Sequence, residues 1–269
     1  MSSKSLFTCA VLVVLSALLC MSAAAQNKTP VAVPPQQEGT LQVGTEEPCI
    51  ANQCLFYSGD FDPSGQNPNG LWNEDMNEFG TEIDGAVYVP FTIPKKYKGA
   101  KGKTDWSVTG LFVNDQNFPS PSATQATWSI VQGVAAGGNP TGRQVKVLCS
   151  GTAPVTATPT GRIAFGFYTE YTYVASGVSC PTLENGTYWM TTVVQVPAPP
   201  SGFEDNFLSD VEDNTPANAV GPGISVEDDS FFVSAFFGFP NFTLANLTSI
   251  CGNIGCDNFS VGVIGTAIH

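Results

Sequence analysis

The sequence predicts an all-β protein: an antiparallel β-sandwich, jelly-roll-like in its course and stapled by disulfides. Charged residues make up 12% of the chain and aromatic residues 11%, which differs from the Ala-, Glu- and Lys-rich composition of helix bundles. Short runs in which apolar and polar residues alternate recur between Gly, Pro and Asn residues, as in strands joined by turns. The cysteines are even in number, as expected for disulfide pairs in an exported chain.

Residues 1–25 predict a signal peptide. They contain a positive start, an apolar run and a small-residue cleavage site, carried by Lys4, residues 6–20, and Ala23 with Ala25. The apolar run is short for a transmembrane anchor, and Leu19 does not favour lipoprotein processing at Cys20. We therefore expect a secreted or extracytoplasmic protein, in the periplasm or at the cell surface.

The charge balance is strongly acidic, with 23 Asp and Glu against 10 Lys and Arg. Loss of Lys4 with the signal peptide leaves a net charge one unit more negative than the −13 of the whole chain. Nucleic acid is not expected as a partner, because neutralising phosphates requires a basic surface. No later run is apolar enough to cross a membrane, so we expect no membrane span in the mature chain.

The domain organisation follows from composition. Residues 26–46 are Pro-rich, polar and without periodicity, which predicts a linker or disordered arm. Residues 47–269 are expected to form a single β-sandwich domain with a long acidic loop at 197–230. Two small β domains with their boundary in that loop are the alternative.

The strands are predicted where alternation and aromatic or β-branched residues coincide. In chain order these runs are 54–59, 85–93, 106–114, 126–134, 143–150, 161–176, 186–196, 229–239 and 259–268. In the third run, alternation puts Trp106, Val108 and Phe112 on one face. The segment 241–252 is expected to hold one or two helical turns.

Six cysteines remain after the signal peptide. Their proximity in sequence favours Cys49–Cys54 and Cys251–Cys256, which leaves Cys149–Cys180. A zinc site is disfavoured because the two close pairs have C-x4-C spacing and the chain has one His, at position 269.

The single His also argues against Ser-His-Asp and Cys-His catalysis, which need a positioned imidazole. Catalysis by carboxylates, as in glycosidases, stays open. Glu170 is the candidate, because it lies in a strand among Tyr168, Tyr171 and Tyr173. The alternative is that Glu170 points to solvent from the outer face of a sheet, and we expect a protein that is not an enzyme.

The acidic stretch 59–84 offers the oxygen ligands that Ca²⁺ prefers. Asp60 and Asp62 begin a pattern like that of an EF-hand loop, but Leu71 stands where the loop has its Glu. A looser calcium site would use Asp60, Asp62, Asn67 and Asn69. The alternative is that these residues only form turns.

Tryptophan side chains suggest a sugar-binding surface. Trp72 lies in a polar loop and is the expected ligand-binding residue, because an exposed indole ring can stack on a sugar. Trp106 and Trp128 lie in alternating strands, which favours a place in the core.

The segment "LENGTYWMTTVV" resembles the Leu-x-x-Gly-Thr-Tyr-Trp strand of exported bacterial β-sandwich domains, through Leu183, Gly186, Thr187, Tyr188 and Trp189. These domains include the pre-peptidase C-terminal type and passenger domains with C-terminal sorting anchors. The resemblance implies a bacterial secreted protein and transfers no catalytic residue. No apolar helix and basic tail follow Ile268, so sorting-anchor attachment is not expected.

Together these observations favour a secreted, non-catalytic binding or structural module at or outside the cell surface. Carbohydrate is the expected ligand class, and the expected partner is an extracellular polysaccharide or another cell-surface component. One alternative is an extracellular hydrolase that acts on a polysaccharide through carboxylates. Another is a self-assembling fibre or matrix subunit, in which long aromatic strands such as 163–174 add to neighbouring chains.

Overall fold

The structure is a computed structural model that describes residues 54–59, 85–95, 105–118, 123–164, 168–195, 207–210, 223–225, 230–235, 238–245 and 259–268. All of these residues belong to one compact unit, Pro35–His269. The predicted signal peptide at 1–25 and the arm at 26–46 lie outside the described residues. The predicted domain boundaries stay a prediction.

The described residues form antiparallel β-strands and contain no α-helix, which confirms the all-β prediction. The strands are β1 (Cys54–Tyr57), β2 (Ala86–Ile93), β3 (Asp105–Phe118), β4 (Gln125–Gln132), β5 (Lys146–Ala164), β6 (Tyr168–Ser176), β7 (Gly186–Gln195), β8 (Phe207–Asp210), β9 (Ile224–Ser225), β10 (Phe231–Ser234), β11 (Phe239–Leu244) and β12 (Val261–Ile268).

The strands are hydrogen-bonded in the order β1-β12-β3-β6-β5-β4-β7-β2-β10-β11, with β8 on β3 and β9 on β2. The long strand β5 belongs to two sheets, because residues 146–154 pair with β4 and residues 155–164 pair with β6. We call the β1-β12-β3-β6 side sheet I and the β4-β7-β2-β10-β11 side sheet II.

The main core lies where an aromatic side chain of sheet II meets two of sheet I. Phe91 of β2 stacks on Trp106 of β3, with ring centroids 5.8 Å apart and planes at 2°, and on Phe56 of β1 at 5.6 Å. All three rings are fully buried. These contacts bring side chains of the two sheets together, while the β-sandwich and its jelly-roll course stay predictions.

The segment 223–225 lies between β2 of sheet II and β1 of sheet I. Ile224 pairs with Thr92 of β2, and the Gly223 N–H donates to the Leu55 carbonyl of β1 at 2.8 Å. A Cβ atom at Gly223 would lie 2.8 Å from the Trp106 ring, so only glycine fits this close approach. Two short strands, β8 and β9, lie within the stretch 197–230 that the sequence assigns to a long acidic loop.

The prediction that Phe112 shares a strand face with Trp106 is wrong, because β3 contains a β-bulge. Gly110 pairs with Ile264, but Val108 pairs with Gly265, so β3 has one extra residue at Thr109. The bulge moves later side chains to the opposite face. Phe112 accordingly packs on Tyr57, with centroids 5.3 Å apart, rather than beside Trp106 in the main core.

One other local prediction needs correction. The run 161–176 is not one strand, because β5 ends at Ala164 and β6 begins at Tyr168, and Ile163 pairs across the hairpin with Thr169. In the segment 241–252, which was expected to hold one or two helical turns, residues 241–244 belong to β11, and residues 246–252 lie outside the described residues, so the helical turns stay a prediction.

A smaller core covers part of the outer face of sheet II. Val131, Val134, Phe231 and Phe242 are buried together, and Tyr88 packs edge-on against Phe242 at 5.0 Å. The β4–β5 connection closes this core and continues the sheet beyond β11. Gly137 N–H donates to the Phe242 carbonyl at 2.8 Å, and Phe242 N–H donates to the Gly138 carbonyl at 2.9 Å.

A disulfide joins Cys149 of β5 to Cys180 in the β6–β7 connection, which confirms that predicted pair. Cys54 is also disulfide-bonded, but its predicted partner Cys49 and the pair Cys251–Cys256 lie outside the described residues. Within the part of the chain that the structure describes, no helix is long and apolar enough to span a membrane.

Candidate functional site

A groove of about 420 Å³ opens on the outer face of sheet II. Its walls come from four neighbouring strands, β5, β4, β7 and β2. The lining residues are Ala86, Tyr88, Thr127, Trp128, Ser129, Ser150, Gly151, Thr152, Thr191 and Val193. A volume of this size is typical of small-molecule sites, so the groove is the candidate functional site.

Strand register arranges the groove's hydroxyl groups in two rows. In the first row Ser129 pairs with Ser150 on one side and with Thr191 on the other. In the second row Thr127 pairs with Thr152 and Val193 in the same way. Because side chains alternate between the faces of a strand, both rows share the outer face.

Tyr88 closes the β2 end of the first row. It precedes Val89, which pairs with Met190, so Tyr88 lies beside Thr191. Burial raises the pKa of the Tyr88 hydroxyl above its usual 10.0, and a hydrogen bond to the Ser129 side chain acts in the opposite direction. Tyr88 is therefore a neutral hydroxyl at physiological pH.

Two neighbouring threonines in β7 differ in the face that they occupy. Thr191 lines the groove, whereas Thr192 pairs with Trp128 and shares the inner face. The side-chain hydroxyls of both are buried and have no hydrogen-bond partner among the described residues. Because a buried hydroxyl without a partner is costly, the Thr191 hydroxyl is suited to bonding with a ligand.

Trp128 contributes to the groove's floor through its place in β4. Its indole ring lies toward the inner face, where Gly151 leaves room for it: a Cβ atom at Gly151 would be 3.2 Å from the ring. Trp128 is 5% exposed and Trp106 is fully buried. The prediction that these two tryptophans belong to the core is confirmed.

Glu170, the candidate catalytic residue, lies in sheet I away from the groove. Its side chain is 1% exposed and forms a two-point ion pair with Arg162, through Arg162 Nε to Oε2 and Nη2 to Oε1, the latter at 2.6 Å. Thr160 also donates to Oε2 at 3.2 Å. The expectation that Glu170 points to solvent is wrong, and both of its oxygens are occupied by donors from its own hairpin.

A buried polar network lies on the same face of sheet I, between β1, β3, β6 and β12. Asn114 donates to Ser260 Oγ at 2.7 Å and accepts from Thr172 Oγ1 at 2.7 Å. Ser260 in turn donates to the Gly59 carbonyl at 2.6 Å. These bonds hold the start of β12 beside the end of β1, so the role of these polar side chains is structural.

A buried acid that the sequence patterns did not single out lies in β3. Asp115 is 1% exposed and pairs in register with Asp210 of β8. Among the described residues, no group of three or more His, Cys, Asp or Glu side chains is placed to hold a metal ion. The predicted calcium ligands Asp60, Asp62, Asn67 and Asn69, and the predicted sugar-stacking Trp72, lie outside the described residues.

The groove was missed because its residues carry no motif. Ser and Thr are ordinary on the outer face of a strand, and nothing in the sequence tells which of them come together. The usable signal was the repeated alternation in "ATWSIVQ" and "TYWMTTVVQ", where the polar positions of two strands share one face once their register is known.

No protein-family model matches the chain, and no curated protein matches it in sequence. A structural similarity was found to the cysteine protease and lectin-like domains of Cwp84, a surface layer associated protein of Clostridium difficile. It has a TM-score of 0.34 and 14% identity, over 68% of this chain and 32% of that chain. A second match, to the clostridial cysteine protease Cwp84 after propeptide cleavage, has a TM-score of 0.26 and 14% identity, over 67% of this chain and 40% of that chain.

The chain thus spans about a third of the first Cwp84 structure and two fifths of the second. Both TM-scores are too low for these similarities to support an inference about function.

Proposed function

We propose that this chain is an exported, non-catalytic binding module and that its ligand is a carbohydrate held in the groove of sheet II. The single observation that carries the proposal is the groove's lining of Ser, Thr and Tyr hydroxyls. Sugars present hydroxyl groups that both donate and accept hydrogen bonds, and Ser, Thr and Tyr side chains can do the same. In extent the groove suits a short stretch of an extracellular polysaccharide or of a cell-surface glycan.

The proposed location of the protein, outside the cytoplasm, agrees with the state of its cysteines. The Cys149–Cys180 disulfide is typical of oxidising compartments such as the periplasm or the extracellular space. A predicted signal peptide at 1–25 fits the same location. The resemblance around Leu183–Trp189 to exported bacterial β-sandwich domains supports the same location.

The hydrolase alternative has less support. A glycosidase of the usual kind needs two carboxyl groups facing the scissile bond, and no acidic side chain is among the described residues that line the groove. Glu170, the acid suggested by sequence, is buried in its ion pair with Arg162. This carboxylate is therefore not placed to reach a bound polysaccharide.

The self-assembly alternative also has less support. Strand β6 has β3 on one side and β5 on the other, so residues 169–174 have no open edge for an added strand. At the β11 edge, Gly137 and Gly138 take the backbone bonds of Phe242. Capped edges of this kind discourage strand addition.

The proposal is tested by a glycan-array screen of the disulfide-bonded protein, with and without Ca²⁺. We expect specific glycan binding that Thr152→Trp abolishes, because an indole at this exposed position would obstruct the groove. Thr156→Trp is the matched control, because Thr156 is an exposed residue of the same strand that is not part of the groove's lining. Binding to no glycan, or release of new reducing ends from a bound polysaccharide, would overturn the proposal.

A further inference from the structure

The first hydroxyl row crosses the strands rather than following one of them. Ser150, Ser129, Thr191 and Tyr88 lie on β5, β4, β7 and β2 in that order. The Tyr88 hydroxyl reaches back to hydrogen-bond the Ser129 side chain, so the hydroxyl groups of the row lie over three strands, β5, β4 and β7. Neighbouring strands lie about 4.8 Å apart, so these hydroxyls span roughly 10 Å. An array of this length matches an extended chain of two or more sugar rings better than one ring.

The row becomes deeper towards β7. Ser150 is exposed, Ser129 is half-buried and Thr191 is 7% exposed. The deepest hydroxyl, that of Thr191, has no hydrogen-bond partner among the described residues. A ligand hydroxyl at this point would satisfy a polar group that the fold leaves without a bond, so Thr191 is the position with most to gain from a ligand.

The groove carries no charge on its described lining residues. The whole chain has a net charge of −13, so a polymer of uronic acids or a sulfated glycan would approach against the field of the protein. With no carboxylate among these lining residues, Ca²⁺ would find no ligand of its preferred kind there.

From this geometry we propose that the groove binds a short, uncharged oligosaccharide laid across the strands along the row Ser150–Ser129–Thr191–Tyr88, without calcium. The inference rests on the proposed carbohydrate-binding function and makes it specific in charge, direction and metal dependence. Thr191 supplies the deepest hydrogen bond, and Ser150 marks the open end of the site.

The test uses calorimetric titration of the full protein with neutral gluco-, manno- and chito-oligosaccharides and with oligogalacturonates of the same lengths. We expect affinity for one neutral series to rise from the monosaccharide to the tetrasaccharide and then level off. A chelator should leave this affinity unchanged. Oligogalacturonates should bind at least tenfold more weakly, as expected for a charged ligand without a counter-charge.

Two neighbouring threonines provide a matched pair of variants. Thr191→Val removes the groove hydroxyl and should weaken binding roughly tenfold, the scale of one hydrogen bond that the site is built to make. Thr192→Val removes an equally buried hydroxyl from the opposite face and should change affinity by less than about twofold. Ser150→Ala, at an exposed position that places no demand on folding, should weaken binding to the longer oligosaccharides only.

The outcomes separate the inference from the function on which it rests. Preference for oligogalacturonates, loss of binding with chelator, or equal affinity for mono- and tetrasaccharide would overturn the inference while carbohydrate binding stands. Equal losses of affinity in Thr191→Val and Thr192→Val would mean that the ligand does not bind along the first row. No binding to any of the glycans would overturn the inference and the proposed function together.

Discussion

At the scale of single residues, the ion pair between Arg162 and Glu170 shows how its surroundings determine the role of a carboxylate. In sequence, Glu170 looks like a polar residue on an outer strand face. In the structure its carboxylate is 1% exposed and held at two points by Arg162. Removing one partner of such a pair leaves the other charge buried, and this determines the effect of a mutation.

We expect Glu170→Gln to lower the free energy of unfolding by about 3 kcal/mol or more, because Arg162 then stays buried without its counter-charge. The double variant Arg162→Met with Glu170→Leu should recover most of this loss, since apolar residues can replace a buried pair. Urea denaturation measures both. If the single variant is as stable as the parent protein, the pair has no structural role.

Tyr88 gives a pH dependence at the same scale. Its pKa is raised in the folded protein by burial, so the native state holds this proton more tightly than the unfolded state does. The resulting stabilisation is present below the ordinary pKa of 10.0 and is lost as the pH rises through the higher folded value.

We therefore expect stability to fall more steeply above pH 10 in the parent protein than in Tyr88→Phe. The phenylalanine ring keeps the packing on Phe242 and cannot ionise. Thermal melts from pH 8 to 11 are the measurement. Parallel curves for the two proteins would mean that Tyr88 ionises equally in both states.

At the scale of elements, alternation predicted where strands lie better than which faces they present. The runs at 85–93, 126–134, 186–196 and 259–268 became β2, β4, β7 and β12 with small shifts at their ends. Phe112 was assigned to the wrong face because a bulge at Thr109 changes the phase of β3. A bulge depends on pairing with β12, which local sequence does not contain.

The candidate site was less predictable than the strands for a related reason. Thr127, Ser129, Ser150 and Thr191 are unremarkable along the chain and come together through the register of three strands. Register is set by tertiary packing, so one sequence does not place them in one groove. Glu170 had a recognisable residue type, but its partner Arg162 lies across a hairpin that the sequence presented as one strand.

The β4–β5 connection caps the β11 edge, and this role can be tested by shortening the connection. Replacing residues 134–144 by a two-residue Asn-Gly turn would remove Val134 from the smaller core and the two backbone bonds to Phe242. We expect the β11 edge to open and the variant to associate as its concentration rises. Size-exclusion chromatography with light scattering checks this; a variant that behaves like the parent protein at every concentration would contradict an edge-capping role.

At the scale of the whole molecule, two sheets share one strand and one central stack of rings. Phe91 contacts both Phe56 and Trp106, so the two sheets are held through a small number of large side chains. The Cys149–Cys180 disulfide adds a covalent link between β5 and the connection that leads into β7. Both strands line the groove, so this link also supports the candidate site.

We expect the double variant Cys149→Ala with Cys180→Ala to lose about 3–4 kcal/mol of stability, the size expected for a loop of this length. The loss arises mainly because the unfolded chain gains freedom when the loop is opened. Guanidinium denaturation of the oxidised parent and the variant gives the difference. Equal midpoints would mean that the disulfide does not stabilise the fold.

The central claim is that the outer face of sheet II, and no part of sheet I, binds the ligand. The most direct measurement is to follow the backbone amide resonances of the ¹⁵N-labelled protein during titration with the neutral oligosaccharide that binds most tightly. The claim predicts that the largest shifts occur at Thr127, Ser129, Ser150 and Thr191, while the amides of Arg162 and Glu170 stay unchanged. Shifts concentrated around Glu170, with the groove residues unaffected, would contradict it.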